Sequence, residues 1–459
     1  MSNEPSRRSF SNIFDLPFAV PVFVVLMLTL VFLPIAWNFY ASGDVHHLNP
    51  MIAEIGPLKP RWYGFAYLMG FLGAYLLVQK LSRDGMLRLD PERVPDLVLN
   101  CCIFGVLVGG RLGFALFYDL PDALQHNVTP MLWNFSGEFP FWGVLKVWDG
   151  GMSAHGGVLF TILTLMWFSW RYKVSLINIG DAGCMVVPIG LCFGRIANFI
   201  NGELYGHPAT VPWAVKFPSE VWSPTNGKAS LSGEKISQLK EAVGSYLGQH
   251  PLDLTAAQVQ EFLNTHGALR EDISVKLSGL HLEDPKHLDA AKEMISQAVS
   301  QNPGLLGLHD LAYWWERGQS AVGNEMHKVF EVILPARHPS QMYEALLEGV
   351  LLFAICWTIG RLWRKEGMAS GAFLTLYPIM RIIGEQFRVG DSPQKVLGLE
   401  MSLGVIYSLL MFAGGAIYWG YWIRKNRRIP WVPQAESPPA DSSAEPPPGN
   451  NAAPQSGSA

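Results

Sequence analysis

Three arginines stand inside apolar stretches of this chain, each near the same end of its stretch. They are Arg111 in Gly109–Phe117, Arg195 in Gly190–Asn201 and Arg381 in Leu374–Phe387. A cation in hydrocarbon costs roughly 2.5 kcal/mol or more, so it persists only when paired, solvated or used. Three such residues point to a polar cavity that holds an anion. Around the third, Tyr377, Arg381, Glu385 and Arg388 recur at intervals that place them on one helical face.

Two loops supply further groups. Trp148–Gly157 (WDGGMSAHGG) sets four glycines around His155 and ends where an apolar run begins. Glycine lets a backbone approach a ligand closely, and the helix that follows offers free N–H groups and the positive end of its dipole. Such a loop suits a phosphate or an activated anion. Asp149 either orients His155 or stabilises the turn. The second loop, Arg337–Glu344 (RHPSQMYE), opens another apolar run.

The elements that position these residues are membrane spans. The chain has 459 residues, of which 49% are hydrophobic and only 16% charged, the balance of a polytopic membrane protein. A net charge of −4 argues against general nucleic-acid binding. A span needs about 20 apolar residues. Eight runs qualify: Phe18–Trp37, Trp62–Val78, Leu97–Phe117, Gly157–Trp170, Ala182–Ile200, Ala345–Leu362, Gly371–Gln386 and Leu403–Ile423. The fourth and seventh are short or polar. No small-residue cleavage site follows the first, which is expected to stay as an anchor. The fold class is therefore all-α and polytopic.

Every second loop is basic: Lys80–Arg93, Arg171–Lys173, Arg361–Lys365 and Arg424–Arg428, with Arg7 and Arg8 ahead of the first span. The positive-inside rule then places both termini in the cytoplasm. All the costly polar residues gather in the outer half, as a site served from the outer leaflet requires. Residues 1–17 form the cytoplasmic N-terminus and 18–37 the first span. Residues 61–217 and 336–429 make the membrane core. Between them, 218–335 reads as a helical extramembrane insertion. Its apolar residues show helical spacing at Ile236–Leu247, Ala256–Phe262 and Leu288–Val299, with Thr255 and Asp284 as candidate caps. Residues 430–459 are rich in Pro, Ala, Ser and Gly and are expected to be a disordered tail. The five cysteines lie in apolar spans without ligand spacing and read as small core residues. No HExxH or carboxylate cluster calls for a metal, and no cofactor is expected.

Five blocks, in this order, resemble the prolipoprotein diacylglyceryl transferase family: Trp62–Tyr63–Gly64, His155–Gly156–Gly157, Gly194–Gly206 (GRIANFINGELYG), Pro339–Glu344 (PSQMYE) and Arg381–Glu385 (RIIGE). They spread over Arg61–Arg388, far more specific together than any one motif. The resemblance implies transfer of an sn-1,2-diacylglyceryl group from phosphatidylglycerol to the lipobox cysteine of a preprolipoprotein, releasing glycerol phosphate. It also implies a bacterial cytoplasmic membrane location, with the insertion in the periplasm. The family core has about seven spans, so the first span here stands ahead of it. The insertion is longer than in the compact enzymes, and neither addition interrupts a motif. The enzyme is expected to act as a monomer.

On that reading the residues take roles. Arg195 and Arg381 clamp the phosphate and stabilise its departure, since a guanidinium donates bidentately and stays charged. Arg111, Tyr63, Asn198 and Asn201 help to bind the lipid head group. His155 is the neutral-range base for the cysteine thiol, whose thiolate is the nucleophile. Tyr343 adds a hydroxyl whose ring can face acyl chains. Glu203 and Glu385 orient arginines, and Gly156, Gly157, Asp149 and Gly206 support the loops.

Plainer readings compete at several positions. Arg111 can pair with a carboxylate or snorkel outward, and Gly105, Gly109 and Gly113 form a stripe better suited to helix packing than to chemistry. Tyr63 can be an aromatic-belt anchor, His155 can merely cap a helix, and His338 reads as an ordinary loop histidine. Two other functions use the same residues, a lipid or anion transporter and an inactive scaffold. The one-sided polar distribution and the lack of broken-helix pairs weigh against the first. The intact motifs weigh against the second.

Overall fold

The computed structural model describes residues 45–46, 48–52, 60–126, 128–135, 142–145, 151–222, 232–250, 255–256, 259–260, 281–308, 311–312, 315, 321–389, 394–396 and 399–425. The first apolar span, the tail, Asp149 and most of Ala256–Phe262 lie outside them.

The other seven apolar runs are all helices: α1 (Trp62–Arg83), α2 (Pro91–His126), α3 (Ala154–Tyr172), α4 (Leu176–Ile200), α8 (Ser340–Leu362), α9 (Met368–Glu385) and α10 (Leu403–Lys425). Among the described residues of the insertion, the three longer helices are α5 (Gly233–Gln249), α6 (Pro285–Gln301) and α7 (Ala321–Ile333). Five of the seven are long and apolar enough to cross a membrane: α1, α2, α4, α8 and α10. The two that fall short, α3 and α9, are the runs that looked short or polar, and α9 carries the arginine face. A two-stranded hairpin, β1 (Gln394–Val396) and β2 (Leu399–Met401), joins α9 to α10. Among the described residues it is the one regular exception to an all-α architecture.

Helix α4 is the hub, packing on α1, α8 and α9. Without a hydrophobic drive between helices in lipid, close approach depends on small residues. A Cβ on Gly349 of α8 would collide with Cys192 of α4, and one on Gly415 of α10 with the Leu374 carbonyl of α9. The stripe Gly105, Gly109, Gly113 does what its spacing suggests: added side chains there would strike Thr161, Phe160 and Gly156 of α3. At the end remote from the arginine cluster, Asp181 of α4 accepts hydrogen bonds from Gly367 N (2.7 Å), Ser370 N (2.8 Å) and Ser370 Oγ (2.6 Å). It thereby caps α9 from a neighbouring helix and fixes that helix along its axis.

The insertion has its own core. Leu239, Val243 and Leu247 of α5 face Ala291, Ile295 and Val299 of α6, and Met326 and Phe330 of α7 complete it. Asp284 caps α6 through Lys286 N at 2.9 Å, as its position suggests. Helix α7 is the element that the apolar spacing missed.

One buried ion pair ties the insertion to the membrane core. Glu220 grips Arg337 through Nε at 2.7 Å and Nη2 at 2.6 Å. Arg337 Nη1 also donates to Gly206 O at 3.2 Å, and its guanidinium lies over the Tyr205 ring. Removing one partner of a buried pair strands a charge, at a cost of about 3–5 kcal/mol. Glu220→Ala is therefore expected to lower the thermal unfolding midpoint of the purified protein sharply, and Glu220→Leu with Arg337→Met to recover most of the loss. Equal midpoints for the wild type and Glu220→Ala would show that this pair carries no stability.

Candidate active site

Helices α4, α8 and α9 converge on one cluster of charge. Arg195 of α4 donates from Nε (3.3 Å) and Nη2 (3.0 Å) to Glu348 Oε2, and its Nη1 lies 2.9 Å from Glu344 Oε2. Arg381 of α9 pairs through Nη1 with Glu344 and, at 3.6 Å, with Glu348. Its Nη2 holds Glu385 at 2.9 Å, the contact that their four-residue spacing suggests. Arg388 adds a third cation 3.7 Å from Glu344.

The cluster is layered. Glu344 and Glu348 have 0% side-chain exposure, whereas Arg195 and Arg381 keep 16% and 15%. The carboxylates are sealed off, whereas the arginine side chains that pair with them keep partial access. Buried carboxylates stop the long arginine side chains from snorkelling away and fix the orientation of each donor fork. An anion meeting this surface finds prearranged donors.

The backbone beside the cluster is held in a strained shape. Gly202 (φ 68°) turns the chain out of α4, and Leu204 keeps φ 60°, unusual for a side chain branched beyond Cβ. Two fully buried residues of the Pro339–Glu344 block sustain it. Ser340 Oγ donates to Leu204 O at 3.0 Å and Gln341 Nε2 to Glu203 O at 2.6 Å. Gly206 lies under two carbonyls, with Gly206 N bonded to His338 O and His207 N to Phe387 O, both at 2.9 Å. A Cβ at Gly206 would run into both of those carbonyl oxygens. Gly206→Ala is thus expected to spread the Tyr205–His207, Arg337–Pro339 and Phe387–Arg388 segments and to reduce activity at least about a hundredfold, as displacements near 1 Å do. A steady-state assay on the folded variant checks this, and near wild-type turnover would contradict it.

The remaining groups distribute as follows. Glu203 accepts from Asn198 Nδ2 (2.7 Å) and Asn201 Nδ2 (3.4 Å), so it orients the two amides and not, as expected from the motif, an arginine. Arg195 and Arg381 share Glu344 and Glu348 of α8, and Arg381 also holds Glu385 of α9. Tyr63 packs on Tyr67 with ring centroids 5.3 Å apart, and Tyr67 stands within electrostatic reach of Glu203. Tyr343 Oη accepts from Trp213 Nε1 at 2.7 Å and lies 3.1 Å from His338 Nδ1. Burial, with His207 nearby, holds His338 below the ordinary imidazole range. His338 meets a side chain of the Pro339–Glu344 block.

Arg111 does not join the other two arginines. Its Nε donates to Val144 O (2.9 Å), Nη1 to Gly151 O (2.9 Å) and Nη2 to Gly143 O (3.4 Å). Such a guanidinium binds together the segments on either side of 146–150 and, through Gly151, the approach to α3. The carbonyls that meet it in space lie 32 to 40 residues away in sequence, which is why its spacing resembled that of the other two arginines.

His155 sits in the first turn of α3, one residue after Ala154 and close to the Ser153 cap, whose Oγ accepts from Gly156 N at 3.1 Å. Gly156 packs against Gly109 and Gly113 of α2 with no room for a side chain, whereas a Cβ on Gly157 meets nothing within 4 Å. His155 Nδ1 lies 3.2 Å from Tyr118 Oη, and its ring meets Tyr407 of α10 edge-on at 6.3 Å. One turn before Tyr407, a Cβ on Gly404 would lie 3.8 Å from Arg381 Nη2 and from Glu385 Oε1. The first turn of α10 is therefore a common wall, with the imidazole at one end and the guanidiniums at the other.

Residues 50–421 match the sequence model of a family described as prolipoprotein diacylglyceryl transferase. A phosphatidylglycerol–prolipoprotein diacylglyceryl transferase of Bdellovibrio bacteriovorus is 33% identical over 385 residues, covering 83% of this chain and 94% of the relative. One of Serratia proteamaculans is 31% identical over 385 residues, 83% of this chain and 96% of its own length. One of Stenotrophomonas maltophilia is 30% identical over 373 residues, 81% and 91% of the two chains.

Proposed function

The chain belongs to the prolipoprotein diacylglyceryl transferase family, and from that premise we infer how its site transfers a diacylglyceryl group from phosphatidylglycerol to a prolipoprotein. It is a multi-pass bacterial membrane protein. The acceptor is the thiol of a lipobox cysteine, and the product is a thioether.

The sulfur attacks the terminal glyceryl carbon, a C–S bond forms, and the bond from that carbon to the phosphate oxygen breaks. Glycerol phosphate leaves with both electrons of that bond. The thiol proton passes to His155, which stands beside the wall shared with the clamp. The observation that carries this reading is the pair Arg195 and Arg381, partly exposed and oriented by fully buried Glu344 and Glu348. The phosphodiester binds to these arginines, and the same donors stabilise the charge that grows on its departure. Glu203 sets the amides of Asn198 and Asn201 toward the head group, and Tyr63, Tyr67 and Tyr343 line its approach. Arg111 acts by shaping the loop before α3.

The basic loops favour cytoplasmic termini, with the insertion and the site on the opposite side of the inner membrane. The enzyme works as a monomer, with the lipid and the lipobox helix entering laterally. The test is to reconstitute the protein with a lipobox peptide in vesicles of phosphatidylglycerol or of phosphatidylethanolamine alone. Peptide gaining the diacylglyceryl mass only in the first supports the reading. A protein that binds phosphatidylglycerol but leaves the peptide unmodified would favour the transporter or scaffold.

A further inference from the structure

Glu348 belongs to none of the blocks that mark the family, yet it lies at the centre of the charged cluster. It is on α8, one turn beyond Glu344, with 0% side-chain exposure. Substrate cannot reach it, and whatever it does it does through the arginines. Its Oε2 meets Arg195 Nε and Nη2 while Oε1 lies 3.6 Å from Arg381 Nη1. Glu344 is different in kind: it touches Arg195, Arg381 and Arg388 together and frames the whole cluster.

Arg195, Arg381 and Arg388 face Glu344, Glu348 and Glu385, so the cluster is formally neutral, with its positive side outermost. The reaction changes the charge of what this surface holds. A phosphodiester monoanion and a thiol become a thioether, a phosphate monoester dianion and a proton. Each added positive charge on the clamp therefore attracts the departing phosphate about twice as strongly as the incoming lipid. An uncompensated clamp becomes a product trap.

We propose that Glu348 is a positioning residue that orients Arg195 and offsets its charge, so that the clamp holds the phosphodiester yet lets the more highly charged glycerol phosphate go. The proposal rests on the diacylglyceryl-transfer reading. It goes beyond that reading in giving a buried carboxylate control of product release.

The experiment compares wild type, Glu348→Gln and Glu348→Asp in transfer from phosphatidylglycerol to a lipobox peptide, with glycerol phosphate added as inhibitor. Removing the charge in Glu348→Gln is expected to strengthen inhibition by at least about tenfold, to lower KM for the lipid by a smaller factor of about three, and to reduce kcat. Glu348→Asp, which keeps the charge, is expected to return inhibition toward wild type. A residue that served the fold alone would weaken both ligands together. Unchanged or weakened inhibition in Glu348→Gln, with thioether still made by the wild type, overturns the proposal. If Glu348→Gln does not fold, Glu385→Gln removes another of the three carboxylates around Arg381 and must shift inhibition the same way, or the proposal fails. Should the wild type make no thioether, the transfer reading fails by itself. Direct binding of glycerol phosphate to wild type and Glu348→Gln then still decides whether Glu348 moderates the clamp.

Discussion

Arg381→Ala is expected to lower diacylglyceryl transfer by at least about a thousandfold, more than the loss of one preorganised donor in a typical oxyanion site. The excess has a structural cause. In the proposed mechanism Arg381 donates to the substrate, and it also holds Glu344 and Glu385 in place. Without it, two carboxylates lie beside the phosphate path with one cation fewer, and they repel the anion that the site must bind. Arg381→Lys keeps the charge but loses the planar fork that spans both carboxylates. Its expected loss is smaller, about a hundredfold, and falls mainly on kcat, because a point charge still attracts the ground-state monoanion. Steady-state kinetics on both variants, beside a thermal unfolding scan, checks the order. Equal activity of the lysine and wild-type proteins would show that orientation plays no part.

The second large effect is expected at His155. His155→Gln preserves an amide that can still meet the Tyr118 hydroxyl, but it cannot take up a proton. General-base contributions are about a hundredfold to ten-thousandfold, so transfer should fall within that range while phosphatidylglycerol binding persists. Supplying the acceptor as a preformed thiolate, by raising the pH toward the cysteine range near 8.5, should restore part of the variant's rate and little of the wild type's. A variant as active as the wild type at neutral pH would leave the arginine clamp standing and remove His155 as the base. That arm matters, because the imidazole and the guanidiniums meet only across the first turn of α10.

Much of this site was legible before its geometry was. Hydropathy placed seven helices, because a run of apolar side chains long enough to cross a bilayer has few alternatives, but it missed several of their ends: the run Leu97–Phe117 lies inside α2, which spans Pro91–His126. It cut α4 short at Ala182 where the helix begins at Leu176, since Asn178 and Asp181 look like loop residues until their partners on other elements are seen. The step from Arg381 to Glu385 announced its ion pair because both lie on one helix. Pairings between helices leave no such trace. Glu344 appeared as the end of a motif and Glu348 drew no notice inside its apolar run, although both hold Arg195 and Arg381. Arg111 and Arg195 have the same surroundings in sequence, and only the third dimension gives one carbonyls and the other carboxylates. His338 and Tyr67 were missed for a similar reason, their significance lying in Tyr343 and in Tyr63 with Glu203. The hairpin before α10 carries too few residues to show a period of two.

The central claim is that the arginine cluster holds the phosphate as a leaving group while sulfur attacks carbon. It is tested most directly by labelling with 18O the oxygen that bridges the diacylglyceryl carbon and phosphorus in phosphatidylglycerol. After transfer to a lipobox peptide, all of that label is expected in the released glycerol phosphate and none in the peptide product. Label retained on the diacylglyceryl side would mean that the P–O bond breaks and that the arginines serve attack at phosphorus, contradicting the mechanism drawn from this geometry.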